Sequence, residues 1–193
     1  MIVITHPIAI NNEVKIIHSL FAEGLSLLHV RKPDYCAAEM KSFLDAVGWE
    51  FNNRIVLHSH HHLAEVFGIN RLHFPKKFRN TITEKKDAFF STSTHSISEF
   101  NVLKKEYDYA FLSPVFQSIS KTGYTASDTD HLKAITQRTN FTAKLIALGG
   151  ISSENIQQAL SIGFDDVALL GTIWNSTNPL ENFKRCQQIA LSF

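Results

Sequence analysis

Short apolar runs alternate with longer amphipathic stretches along the whole chain. Ile2–Thr5, Leu27–Val30, Ile55–Leu57, Arg71–Phe74, Ala88–Thr92 and Tyr109–Leu112 read as strands, bounded by turn and polar residues. Two further runs, inside Lys144–Ile151 and Asp165–Ile173, stop at Gly149 and Gly171. Between them the 3.6-residue period predicts helices. The first covers Asn12–Glu23, with Asn11 or Asn12 as N-cap and Gly24 at its stop. The second is capped by Asp34 and runs to about Asn52, and a short third spans Leu63–Phe67 before Gly68. Ser96 with Glu99 forms a capping-box signature that opens a helix to Glu106. His131–Arg138 and Leu180–Ser192 complete the set. Pro75–Thr83 is basic and weakly patterned, so a trimmed helix belongs there, and Gln117–Thr129 is a long polar loop.

Strand–helix alternation implies a parallel sheet. Eight strands in 193 residues leave no room for a second domain, so residues 1–193 are expected to form one domain. The expected fold is a compact α/β (β/α)₈ TIM barrel with one or two trimmed helices, since about 250 residues are usual for this fold. An open doubly wound sheet is the alternative topology. The glycine exits of the last two runs resemble those of the barrel. In that fold the loops after strands 7 and 8, with a short extra helix, build a phosphate cup.

Charge narrows the function classes. The net charge of +1 offers no broad basic surface for nucleic acid or membrane. No run approaches the roughly 20 apolar residues of a membrane-spanning helix. The start, Met1–Thr5, lacks a signal peptide's basic and cleavage regions. Cys36 and Cys186 are read as reduced, partly buried thiols of a cytoplasmic protein.

Active sites of parallel barrels lie at the carboxyl ends of the strands. Strand two ends in His29-Val-Arg31-Lys32, strand three in His58-Ser-His60-His61-His62, and strand four in His73 with Lys76 and Lys77 beyond. Strand five ends in Ser93-Thr-His95-Ser96, and strand six opens into Ser113-Pro114, Ser118, Ser120 and Lys121. Strands seven and eight give Gly149-Gly150 and Gly171-Thr172. Cations, imidazoles and hydroxyls collect there with almost no carboxylate, which suits an anion. If strand three continued past Leu57, His58, His60 and His62 would share one face. That face could hold Zn²⁺, but no Cys or carboxylate partner stands at ligand spacing. His95 reads as a helix-start residue.

The ordered motifs His-Val-Arg, Ser-Thr-His-Ser, Ser-Pro-Val-Phe-x-Ser-x-Ser-Lys-x-Gly, Ala-Leu-Gly-Gly-Ile and Val-Ala-Leu-Leu-Gly-Thr-Ile resemble the thiamine-phosphate synthase and thiazole tautomerase family. The resemblance spans nearly the whole chain and is strongest from Ser91 to Ile173. It implies a TIM barrel that joins a pyrimidine diphosphate to a thiazole phosphate with Mg²⁺ and releases pyrophosphate. It places Arg31 on a family arginine and Ser93 on a pyrophosphate-binding serine. Ser118, Ser120 and Lys121 fall on the phosphate-gripping loop. Gly149, Gly150, Gly171 and Thr172 fall on the phosphate cup.

The chain also departs from the pattern. His29 stands for the family's glutamine, and Pro33 for its lysine, with Lys32 one position early and facing the other way. His58-Ser59-His60 replaces an Asn-Asp-Arg whose Asp binds Mg²⁺, and the second Mg²⁺ Asp, near Lys77–Phe78, is missing. Pro114 stands where the tautomerase has its histidine. The expected catalytic set is Arg31, His58, His60 and Lys121. The binding set is His29, Ser93, Ser118, Ser120, Lys121, Gly149, Gly150, Gly171 and Thr172. Mg²⁺ is implied by the resemblance alone, and the metal ligands stay unassigned. The partners implied are small phosphorylated thiazole and pyrimidine ligands, and a homo-oligomer stays open. The alternatives are a tautomerase-like isomerase, with His29, His58 or His60 moving protons, and a non-catalytic paralogue that binds a thiamine phosphate.

Overall fold

In the computed structural model, which describes residues 1–79, 87–116 and 134–193, eight parallel strands close into a barrel in chain order. They are β1 (Ile2–Ile4), β2 (Leu27–Val30), β3 (Ile55–Leu57), β4 (Arg71–Phe74), β5 (Phe89–Thr94), β6 (Tyr109–Leu112), β7 (Lys144–Leu148) and β8 (Asp166–Leu169). Val3 pairs with both Leu28 and Leu169, which closes the ring. At the amino-terminal mouth the Met1 ammonium meets Asp166 at 2.9 Å.

Helices α1 (Glu13–Ala22), α2 (Ala37–Val47), α3 (Leu63–Phe67), α4 (Ile97–Asn101), α5 (Ile156–Ser161), α6 (Gly171–Trp174) and α7 (Pro179–Leu191) surround the strands. The barrel-to-helix core holds Val3, Leu28, Val30, Ile55, Leu57, Ala110, Leu112, Leu145, Ala147, Val167 and Leu169, each at most 1% exposed. Their partners inside the barrel are Ile2, Ile4, Tyr109, Phe111, Ile146 and Ala168. The two clusters use alternate residues of the same strands, as the pleat requires.

Four boundaries differ from the sequence reading by two residues or more. The second helix stops at Val47, because Gly48 turns to φ 104°, and a 3₁₀ segment, Trp49–Arg54, covers the remainder. Its cap is Cys36, not Asp34: the Cys36 N–H donates to Glu39 at 2.7 Å, and the Cys36 thiol is exposed while Cys186 is buried. The fourth helix ends at Asn101, although Ser96 caps it through Glu99 as expected. Strand five runs to Thr94. Of the trimmed helix expected over Pro75–Thr83, the described part, up to residue 79, holds a 3₁₀ turn, Lys76–Phe78. The loop expected over Gln117–Thr129 lies outside the described residues. Of the helix expected over His131–Arg138, the described part is a 3₁₀ turn, Ile135–Gln137.

Lys32 faces away from the strand end, as its register implies. Its Nζ lies 2.8 Å and 2.6 Å from the two Glu13 oxygens and donates to the Ile8 carbonyl at 3.0 Å. Both partners are buried, at 0% and 4% side-chain exposure. Together these contacts tie Ile8, in the loop after β1, and the first residue of α1 to the loop after β2, next to Arg31.

Candidate functional site

Bulky aliphatic residues usually fill the inside of a TIM barrel. Here the inner face carries two imidazoles. His29 from β2, His73 from β4 and Phe111 from β6 come from alternate strands, and their ring centroids lie 4.9–5.7 Å apart. His58, just beyond β3, stacks on His73 at 4.0 Å. Buried polar groups need partners, and these have them. His29 Nδ1 lies 2.8 Å from His58 Nε2, and His29 Nε2 lies 2.7 Å from the Tyr109 hydroxyl. His73 Nδ1 lies 3.0 Å from Ser91 Oγ, and His73 Nε2 lies 3.2 Å from Ser93 Oγ.

Burial holds the imidazoles neutral. It pushes His29 and His58 well below the usual imidazole range, and nearby charged groups add to the push. His73 falls to about 3, first by burial and then through His61, Arg31 and Arg79. The sign of the pH dependence follows. The unfolded chain takes up a proton near pH 6.5 while folded His73 stays neutral. Its stabilising contribution is therefore full above that pH and is lost as pH falls toward about 3. Moving from pH 7 to pH 5 should cost about 2 kcal/mol at His73, with His29 and His58 acting in the same direction. Urea midpoints of the native chain and of His73→Gln across that range check this: the variant's curve should be flatter.

The rim above this layer is cationic. Arg31 follows β2; its N–H donates to Thr5 Oγ1 at 2.9 Å, and the Thr5 hydroxyl donates to the Arg31 carbonyl at 3.2 Å. That clamp fixes the Arg31 backbone. Its exposed guanidinium makes no hydrogen bond or ion pair among the described residues. Its charge nonetheless reaches His58 and His73. Lys76 and Arg79 are already engaged by Glu99. Arg79 also donates to Thr92 Oγ1 at 3.2 Å and to the Ser93 carbonyl.

Across the mouth, the ends of β7 and β8 enclose a cavity of about 870 Å³. Gly149, Gly150, Ser152, Gly171, Thr172 and Asn182 are part of its lining. Gly149 sits at φ 95°, and a Cβ there would come within 2.9 Å of Pro114 Cα, so both conformation and space require glycine. Asn155 secures the turn: its Nδ2 donates to the Gly150 carbonyl at 2.8 Å, and its Oδ1 accepts from the Ser152 N–H at 2.9 Å. The Thr172 hydroxyl donates to the Ile151 carbonyl, joining the β7 exit to α6. The first intrahelical bonds of α6 come from Ile173 and Trp174, so the N–H groups of Gly171 and Thr172 precede the ladder. In this fold a short extra helix at that place is the element from which phosphate cups are built.

The structure brings together His29, His58 and Ser93 in the inner network, and Gly149, Gly150, Gly171 and Thr172 in the cup. It does not bring His60 to either. Strand three stops at Leu57, and His60 takes a left-handed φ of 53° with its Nε2 2.7 Å from the Tyr35 carbonyl. His58, His60 and His62 therefore do not share a strand face. A nitrogen cluster that could hold a metal does occur among the described residues, but its members are His29, His58 and His73. Ser118, Ser120 and Lys121 lie outside the described residues. Sequence reasoning left Tyr109, Ser91 and the cup's Asn155 out of the site. The alternation of Ser91 with Ser93, and of Tyr109 with Phe111, was the signal that these side chains face inward.

Known proteins agree with this geometry. A thiamine phosphate pyrophosphorylase from Bacteroides thetaiotaomicron is 32% identical, with a TM-score of 0.78 over 98% of this chain and 96% of that one. A second, from Pyrococcus furiosus, has the same fold at 16% identity and a TM-score of 0.80, over 99% of this chain and 95% of that one. The thiamine-phosphate synthase of Prochlorococcus marinus (strain AS9601) is 25% identical over 174 residues, covering 88% of this chain and 47% of the relative. This chain spans about half the length of that relative and of its counterpart from a second strain of the same species. The family model described as thiamine monophosphate synthase matches residues 1–173, and the chain belongs to that family.

Proposed function

We propose that this chain, acting as one catalytic barrel over residues 1–193, joins a pyrimidine diphosphate to a thiazole phosphate and releases pyrophosphate. The observation that carries this reading is the pairing of the glycine-and-hydroxyl cavity at β7 and β8 with an unengaged cation, Arg31, on the same rim at the end of β2, two strands from β8. The cup takes the thiazole phosphate through backbone N–H groups, and the family resemblance assigns Ser118, Ser120 and Lys121, outside the described residues, to the same phosphate. The thiazole nitrogen forms the new C–N bond as the C–O bond to pyrophosphate breaks. Negative charge grows on the departing oxygen, and Arg31 with the Ser93 hydroxyl stabilises it there. His29 and His58 shape the intervening floor as neutral groups. The small phosphorylated ligands and the absence, among the described residues, of a helix long and apolar enough to cross a membrane fit a cytoplasmic enzyme.

The residues at the family's Mg²⁺ position do not fit that ion. Mg²⁺ takes oxygen ligands in an octahedron, commonly with one or two carboxylates. Here the position offers imidazoles and the Ser59 hydroxyl, which is buried and makes no hydrogen bond among the described residues. Glu13 and Glu99 are committed to Lys32 and Lys76. No step is therefore assigned to a bound metal. Coupling is expected to change less than about tenfold between Mg²⁺ and a chelator, an effect below about 1.4 kcal/mol. Initial rates of thiamine phosphate formation from both substrates test it, and strict Mg²⁺ dependence would overturn this account of the rim. The carboxylate-poor rim also favours a second reading, a protein that binds a thiamine phosphate without turnover. Tight binding by calorimetry with no coupling in the same assay would establish that reading instead.

A further inference from the structure

Three imidazoles converge inside the barrel from three separate places in the chain. His29 comes from β2, His73 from β4 and His58 from just beyond β3, and one ring nitrogen of each lies within 4.8 Å of the other two. His29 and His73 are 0% and 3% exposed, and His58 is half-buried. One nitrogen of each buried ring is held by a hydroxyl. His29 Nε2 lies 2.7 Å from the Tyr109 hydroxyl, and His73 Nδ1 lies 3.0 Å from Ser91 Oγ. The Ser91 hydroxyl donates to the Leu72 carbonyl at 3.5 Å, so Ser91 accepts from His73 Nδ1–H. That tautomer leaves the lone pair on His73 Nε2. On the inner side, His29 Nδ1 lies 2.8 Å from His58 Nε2.

We propose that His29, His58 and His73 form a binding site for a transition-metal dication of the Zn²⁺ class, ligated through His29 Nδ1, His58 Nε2 and His73 Nε2. Metal-binding histidines almost always donate their other ring N–H to an acceptor, which fixes tautomer and ring orientation. Tyr109 and Ser91 are those acceptors here. Three histidines with a fourth position left to a small ligand is an established Zn²⁺ coordination. The fourth position lies beside Ser93, whose Oγ is 3.2 Å from His73 Nε2, and water or a phosphate oxygen fills it. Burial keeps the three imidazoles neutral, the form that ligates. Imidazole donors suit Zn²⁺, Cu²⁺ and Ni²⁺ rather than Mg²⁺. The site is therefore distinct from the family's Mg²⁺ position, where this chain has Ser59.

Binding requires one side chain to turn. His58 stacks on His73 with ring centroids 4.0 Å apart and planes 16° apart, and near-parallel rings cannot aim two lone pairs at one point. Zn–N bonds of about 2.0–2.1 Å place ligand nitrogens about 3.3 Å apart in a tetrahedron. His58 is the ring placed to turn. It lies past the last residue of β3, and its ring's one hydrogen bond among the described residues is to His29, which the metal replaces. His29 and His73 keep their bonds to Tyr109 and Ser91 throughout. The coupling step assigned above makes no use of this ion, so the site does not stand or fall with that reaction.

Titration of the full chain with Zn²⁺ alone, followed by nitrogen-15 spectra of the imidazoles, tests the site. Expected are one Zn²⁺ per chain and metal-bound shifts at His29 Nδ1, His58 Nε2 and His73 Nε2. Co²⁺ should give the intense visible bands of a four-coordinate ion. His58→Gln, at the half-buried ring, should abolish binding while leaving the buried pair in place. Tyr109→Phe should weaken binding about 10- to 100-fold, the scale for losing an outer-shell partner. Ser91→Ala should act in the same way and serves if Tyr109→Phe folds poorly. The double variant His60→Gln with His62→Gln, on the loop after β3, should bind as the native chain does. Absence of saturable Zn²⁺ binding would overturn the site. So would binding that survives His58→Gln, binding that is lost in the His60 and His62 double variant, or native affinity in both Tyr109→Phe and Ser91→Ala.

Discussion

Replacing Glu13 with alanine is expected to destabilise the barrel by about 3–5 kcal/mol, the range for breaking a buried ion pair from one side. The change strands the Lys32 ammonium at 0% side-chain exposure, with only the Ile8 carbonyl left as a hydrogen-bond acceptor. The aromatic faces of Tyr35 and Phe43, 5.5 Å and 5.2 Å from Nζ, cannot replace a carboxylate. Burial works against both charges: it raises the Glu13 pKa and lowers that of Lys32, and the short bidentate contact opposes each shift. The pair is thus costly to bury and costlier to break. The double variant Glu13→Leu with Lys32→Met should recover most of the loss, because an apolar pair of similar size has no charge to desolvate. Urea unfolding of the single and double variants measures both. A single variant that loses under about 1 kcal/mol would mean that water reaches Lys32 when Glu13 is removed.

The stability difference has a functional counterpart. Lys32 holds the loop after β1 through Ile8, and Arg31 is its chain neighbour. Restoring stability with the apolar pair removes that tie. The double variant should therefore fold normally and still turn over more slowly than the native chain.

The barrel was legible because alternation and glycine exits are local signals. All eight strands lie within two residues of their expected ends, and Gly149-Gly150 and Gly171-Thr172, picked out by those exits, line one cavity. What escaped depends on closure. Tyr109 reads as an ordinary buried strand residue until the barrel brings its hydroxyl to His29, eighty positions away. The helix past Val47 carried a plausible period, yet Gly48 at φ 104° ended it. The run His58–His62 invited a strand-face reading, whereas a left-handed His60 turns the chain immediately after β3. The resemblance named the chemistry that local patterns could not, and it also marked His29 and His58 as departures. Those two residues carry the network that most distinguishes this barrel's interior.

Arg31→Ala should lower kcat/KM for coupling by roughly 100- to 1000-fold, the scale of losing one preorganised group that stabilises transition-state charge, while thiazole-phosphate affinity stays nearly intact. The reason is positional. Arg31 leaves β2, whereas the cup is built at β7 and β8. The Thr5 clamp fixes its backbone, and among the described residues its guanidinium has no partner to keep it from an incoming anion. Lys76 and Arg79 cannot substitute without abandoning Glu99. Arg31→Lys should recover only part of the rate, since an ammonium is a point charge and lacks the planar fork that meets two phosphate oxygens together. Calorimetry with thiazole phosphate and coupling rates on the same variants separate the two pockets. If Arg31→Ala abolishes thiazole-phosphate binding, both anions share one pocket. Pyrophosphate must then depart along the β7–β8 side rather than over the inner network.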